Sequence, residues 1–171
     1  EANLIEPLAI DGKICKFGAK PGEKLVGVMI QHLRPHESPN GPSPQGRIRD
    51  KVSYYKTVCD ALVSIASKGG VRILIIPSTT WNQKSCHRVA SDLQRNRVTN
   101  AQLLKDPDIH TFICACQSVD IMISTNMHPV ILAATAAKPS IALSCHYKLD
   151  DYMTSIGMPS NVARIDDFDS G

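Results

Sequence analysis

Phe, Trp and Tyr make up only 5% of this 171-residue chain, too few for a surface that stacks nucleobases. The net charge is +3, and along the sequence the basic residues are scattered rather than striped, so no nucleic acid partner is expected. No apolar run approaches the roughly 18 residues that cross a bilayer. The start, Glu1-Ala-Asn-Leu4, lacks both the basic region and the apolar core of a secretory signal. These absences point to the cytoplasm, with at most peripheral association at the inner face of a membrane. A chain that begins on Glu1 is expected to be a processed product or an excised domain.

Neither GxGxxG nor GxxxxGK[ST] occurs, which excludes the dinucleotide fingerprint and the P-loop. The six cysteines (Cys15, Cys59, Cys86, Cys114, Cys116 and Cys145) include no CxxC pair. Cys114 and Cys116 sit two apart on a predicted helix and face different directions. Free thiols are expected, with no disulfide framework and no metal site.

What is present is an alternation of apolar runs and amphipathic stretches. Apolar residues are 43% of the chain and charged residues 20%, as in a globular domain. Residues 1–24 read as a linker or N-terminal extension. Leu25–Gln31 reads as a buried strand. Residues 32–49 hold Pro35, Pro39, Pro42 and Pro44 and form a long loop. Asp50 can cap a helix in which Val52, Tyr55, Cys59, Leu62 and Ala66 recur at helical spacing, and Gly69-Gly70 ends it.

Val71–Ile76 is a second strand, closed by Pro77. A helix after Gln83 carries Cys86, Val89, Ala90 and Leu93 on one face. Ala101–Leu104 is a short strand and Asp108–Ser118 a helix. Val119–Ser124 is a strand, and an apolar helix, expected to be buried on several sides, follows from Pro129 to Ala137. Ser140–Ser144 is a strand, and Leu149–Ile156 a helix closed by Gly157. Strands of this kind, alternating with helices, predict an α/β, Rossmann-like, mainly parallel sheet covered on both faces.

In such folds ligands bind beyond the carboxyl ends of the strands. Four turns are expected at that edge: Gln31–Arg34, Ser78–Lys84, Ser124–His128 and Ser144–Lys148. They offer His32, Arg34, Lys84, Asn126, His128, His146 and Lys148, with hydroxyls at Ser78, Thr79, Thr80, Ser124, Thr125 and Ser144. His128 precedes Pro129, a residue favoured at the first helical position, so His128 is the expected cap and the helix start an expected anion site. Its imidazole can also move a proton. Lys84 is placed at a helix start, and Trp81 in a polar loop reads either as a sugar-stacking platform or as a lid over the core.

Residues 25–168 resemble the carboxyl-terminal half of the polysaccharide pyruvyl transferase family. The resemblance rests on Asp120-Ile-Met-Ile-Ser-Thr-Asn-Met-His128 with the alanine-rich run from Pro129 to Ser144. Lys148, Tyr152 and Ile156-Gly157 follow at similar spacing, and Asp166-Asp-Phe168 is similar to the family's entry into a last helix. The resemblance implies the second Rossmann-like half of a GT-B-like fold, residues 25–171, with the amino-terminal half absent and the last helix truncated. It implies transfer of a pyruvyl ketal from phosphoenolpyruvate to a sugar of a cell-surface polysaccharide or its lipid-linked precursor. Neither an organic cofactor nor a metal is implied, and the isolated half would be inactive.

By the same resemblance His128 would be the catalytic or phosphate-contacting histidine, and from the four turns Arg34, Lys84, Ser124, Asn126, Ser144, His146 and Lys148 are the expected substrate-binding residues. Two family arginines are missing: one position is Asn126, and at the first strand's end the nearest arginine is Arg34, beyond Gln31. Two other readings stand beside this one. A GT-B-type glycosyltransferase using a nucleotide sugar would need an acid for the ribose, for which Asp150 and Asp151 are the candidates. A non-catalytic binding module would fit the altered arginine positions.

Overall fold

The computed structural model of the chain describes residues 17–31, 51–78, 80–144 and 147–164, and of residues 51–53 and 80–82 the backbone alone. Within them six strands form one all-parallel sheet: β1 (Lys24–Met29), β2 (Val71–Ile75), β3 (Ala101–Leu103), β4 (Ile121–Ser124), β5 (Ser140–Ser144) and β6 (Val162–Arg164). Their order across the sheet is β3-β2-β1-β4-β5-β6. The helices between them are α1 (Lys51–Ser67), α2 (Thr80–Arg95), α3 (Ile109–Ser118), α4 (Met127–Thr135) and α5 (Tyr147–Ser155). This is the Rossmann-like α/β architecture that the alternation predicts.

The strands are apolar on both faces because both are covered. Val26 and Val28 of β1 and Ile73 and Ile75 of β2 join Tyr54, Val58 and Leu62 of α1 and Cys86, Val89 and Leu93 of α2. Leu25 and Met29 of β1 join Leu74, Met122, Phe112 and Ala115 of α3, and Ala133 of α4. Withdrawing one such Val, Leu or Ile from water contributes roughly 1.5–3 kcal/mol. α5 closes a smaller cluster in which Leu149 and Met153 meet Val130 and Ala142. α4 is buried at Pro129, Val130 and Ala133, with α3 and α5 packed against it.

Gly27 allows the closest of these approaches. A Cβ there would lie 2.7 Å from Val119 Cγ1 and 3.0 Å from Met122 Cε, so any side chain would push the core apart. Gly69 and Gly70 end α1 at φ +72° and +64°, as their pairing predicts.

Several elements depart from the reading above. α2 begins at Thr80 rather than after Gln83, and α5 at Tyr147 rather than Leu149. α4 begins at Met127 rather than Pro129. β6 was not expected: three residues give no periodic signal, and only pairing with Ala142, Leu143 and Ser144 makes them a strand. Phe17 and Ala19, from the expected linker, pack against the core, and Glu23 pairs with Arg72 at 3.2 Å. The rest of that linker, residues 1–16, lies outside the described residues, as do the loop 32–49, the cap Asp50 and Asp166-Asp-Phe168.

Asp120, the first residue of the stretch carrying the resemblance, sits at the amino end of β4. Its Oδ2 accepts from the Leu25 N–H at 2.8 Å and its Oδ1 from Lys24 Nζ at 3.3 Å. Its own N–H donates to the Leu25 carbonyl at 2.7 Å. The Leu25 N–H above all, helped by Lys24, holds its carboxyl below the ordinary aspartate value. Asp120 therefore ties β4 to β1 at the edge opposite the one where His128 lies.

No helix among the described residues is long and apolar enough to cross a membrane.

Candidate functional site at the carboxyl edge of the sheet

The strand order reverses between β1 and β4. β2 lies on one side of this pair and β5 on the other, a switch point beyond whose carboxyl strand ends ligands bind in such folds. One residue joins its two sides. Thr125, just past β4, donates its N–H to the Met29 carbonyl at 3.0 Å, and its Oγ1 accepts from the Gln31 N–H at 2.6 Å. Thr125 is 4% exposed, so this tie is buried.

The residues on either side of Thr125 build the start of α4. The Ser124 hydroxyl donates to the Asn126 carbonyl at 2.8 Å and accepts from the Asn126 N–H at 2.9 Å. Ser124 is fully buried, so both its bonds serve the turn. Asn126, extended at φ −115° and ψ 141°, caps the helix: its Oδ1 accepts from the His128 N–H at 3.3 Å. His128 is thus the second helical residue and not the cap, and Pro129 is the third. The physical reason is that every N–H in a first turn lacks an intrahelical acceptor, so proline is tolerated throughout it, while asparagine is among the best caps.

This changes what the helix start can bind. The His128 N–H is engaged by Asn126, and Pro129 has none. Among the first three helical residues only Met127 keeps an N–H for an incoming anion. The backbone cradle expected of a helix start is therefore small, and ligand charge would fall to side chains. His128 itself is exposed at this edge.

β5 lies beside β4, and its carboxyl end brings Ser144, 5% exposed, to the same edge. Lys148 follows in the first turn of α5, exposed, next to Tyr147 at 64% exposure. Ser124, Asn126, His128, Ser144 and Lys148 thus share one edge of two neighbouring strands. Lys84 does not join them in the way expected: α2 starts at Thr80, so Lys84 stands a full turn inside the helix and faces outward. Arg34, His32, His146 and Thr79 lie outside the described residues, as do the side chains of Trp81 and Thr80.

Of the two acids considered for a ribose, Asp150 accepts from Arg164 at 2.9 Å and Asp151 is exposed. The described cysteines Cys59, Cys86, Cys114 and Cys116 are free and buried. Burial pushes the thiols of Cys59 and Cys86 up to about 11 and that of Cys116 to about 12, so these three are poor nucleophiles near neutrality. No group of three or more His, Cys, Asp or Glu able to hold a metal occurs among the described residues.

No protein-family model matches this chain, and no curated protein matches it.

Proposed function

We propose that this chain belongs to a polysaccharide pyruvyl transferase-like enzyme, transferring a pyruvyl ketal from phosphoenolpyruvate to a sugar of a cell-surface polysaccharide or its lipid-linked precursor. The observation that carries the reading is His128, an exposed imidazole in the first turn of α4, at the carboxyl edge where the strand order reverses. The sequence resemblance from Asp120 to Ser144 supports it.

The chemistry calls for a proton donor at this edge. Protonated His128 would give its proton to the methylene carbon of the enol, leaving the central carbon cationic. One sugar hydroxyl adds to that carbon, and phosphate departs as inorganic phosphate. A second hydroxyl then adds to close the ketal. The two hydroxyl protons return to phosphate and to the imidazole. Lys148, at the same edge, would meet the carboxylate or phosphate charge that Met127's single N–H cannot balance.

Calorimetric titration of the full-length protein with phosphoenolpyruvate tests the reading, with His128→Ala as the comparison. His128 is exposed, so the substitution leaves the core intact. We expect heat from the parent and at least a ten-fold weaker response from His128→Ala. No heat from the parent, or equal heat from both, ends the proposal.

One observation favours a second reading, a binding module without catalysis: Asn126 and Pro129 together remove two of the donors an anion would use. Tight binding that survives His128→Ala would support it. A glycosyltransferase reading requires stabilisation by nucleoside diphosphates, and Asp150's bond to Arg164 weighs against it.

A further inference from the structure

The basic residues that are scattered along the sequence are gathered by α2. Lys84, Arg88 and Arg95 stand at i, i+4 and i+11, within about 40° of arc on a helix of 3.6 residues per turn. Cys86, Val89 and Leu93, all fully buried, occupy the opposite side, so the stripe lies on the outer face of α2, with the Arg88 guanidinium over the Tyr55 ring at 4.5 Å. It runs roughly 16 Å along the helix at 1.5 Å per residue. The side chains of Arg88 and Arg95 are 49% and 76% exposed. Asp92 approaches both from the flank, at 4.0 and 2.7 Å, and offsets part of their charge. In the same layer Lys56 and Lys68 are also exposed, with Asp60 beside Lys56. The helices on the other side of the sheet are not basic: α3 and α4 carry no Lys, Arg, Asp or Glu, and α5 carries Lys148 with Asp150 and Asp151.

We propose that the α1–α2 layer is a docking surface for anionic phospholipid headgroups. Three features favour that partner. The stripe is straight and uninterrupted by apolar side chains, for between its cations the outward positions are His87, Ser91 and Gln94. A protein partner would be expected to find aromatic or apolar anchors, and a single-stranded nucleic acid would need stacking rings; this face shows neither among its described side chains. Adsorption onto charged headgroups needs only a field of the right sign close to the surface. Lying flat on such a surface, α2 would hold the carboxyl edge of the sheet, which borders its first turn, level with the headgroups.

Each cation brought near an anionic membrane shifts partitioning by roughly five-fold, and salt screens the effect. The test is co-sedimentation of the full chain with vesicles of phosphatidylcholine containing a third phosphatidylglycerol, against vesicles of phosphatidylcholine alone. The parent should sediment with the first and not the second, and should release at high salt. Lys84→Gln/Arg95→Gln should bind about 25-fold more weakly, and Lys84→Glu/Arg95→Glu more weakly still. Lys138→Gln, between α4 and β5 on the other side of the sheet, should bind like the parent. Circular dichroism confirms that each variant is folded, and the glutamine pair covers the case in which the glutamate pair is not. Equal binding to both vesicles, unchanged binding by the glutamine pair, or binding to duplex DNA or polyglutamate with none to vesicles overturns the proposal.

Discussion

Asn126 is a residue whose role is set by two bonds and a dihedral pair. Its carboxamide oxygen caps α4, and its backbone is held in the turn by Ser124. Asn126→Ala removes the cap and should lower stability by about 1 kcal/mol. For a domain of this size that is a fall of roughly 2–4 °C in the midpoint of thermal unfolding. Asn126→Asp keeps an acceptor and adds a charge that the helix start favours, so it should melt at or above the parent. If both variants melt alike, the capping bond is not what holds this turn. Choosing between Asn126 and His128 as the cap was beyond local reading, because both precede the same proline. The distinction is geometric: an Asn cap reaches the N–H two residues on, and Pro129 fits the third position as well as the first.

At the scale of elements, the pairing of β1 with β4 is the join where the strand order reverses. It is tied at one end by Asp120 and at the other by Thr125. Asp120 titrates below its ordinary value in the fold, first through the Leu25 N–H and then through Lys24. A carboxyl depressed on folding adds stability above its unfolded value, near pH 4, and that stability is lost as the pH falls through the folded value. Asp120→Asn should therefore reduce stability at neutral pH while flattening the acid limb of a denaturation profile. The effect should be modest, since the side chain is 36% exposed and partly screened. Parallel profiles for parent and variant would show that Asp120 contributes no proton-linked stability. The helices and longer strands were legible from periodicity and from Gly69-Gly70. The ties between β1 and β4 were not, because Leu25 and Asp120 are 95 positions apart and Gln31 and Thr125 94.

For the molecule as a whole, burial predicts a gradient of local stability. β1, β2, β4 and β5 run through the middle of the sheet, and their side chains are largely buried on both faces, while β3 and β6 are three-residue edges with half-buried or exposed side chains. Amide hydrogen exchange should be slowest at Val26–Val28 and Ile73–Ile75 and fastest, among the strands, at Val162–Arg164. Protection at β6 equal to that at β1 would mean that the sheet opens only as one unit.

Hydrophobic patterning alone determined the α/β class, the near-complete list of elements and the edge where ligands are expected, because burial on two faces leaves a periodic imprint on neighbouring residues. Strand order, the β1–β4 ties, the cap at Asn126 and the sixth strand were decided only by the folded structure. Each of these depends on groups that local periodicity does not relate, or on a helix start shifted by a few residues. A sequence carries no distance between such groups until the chain has folded.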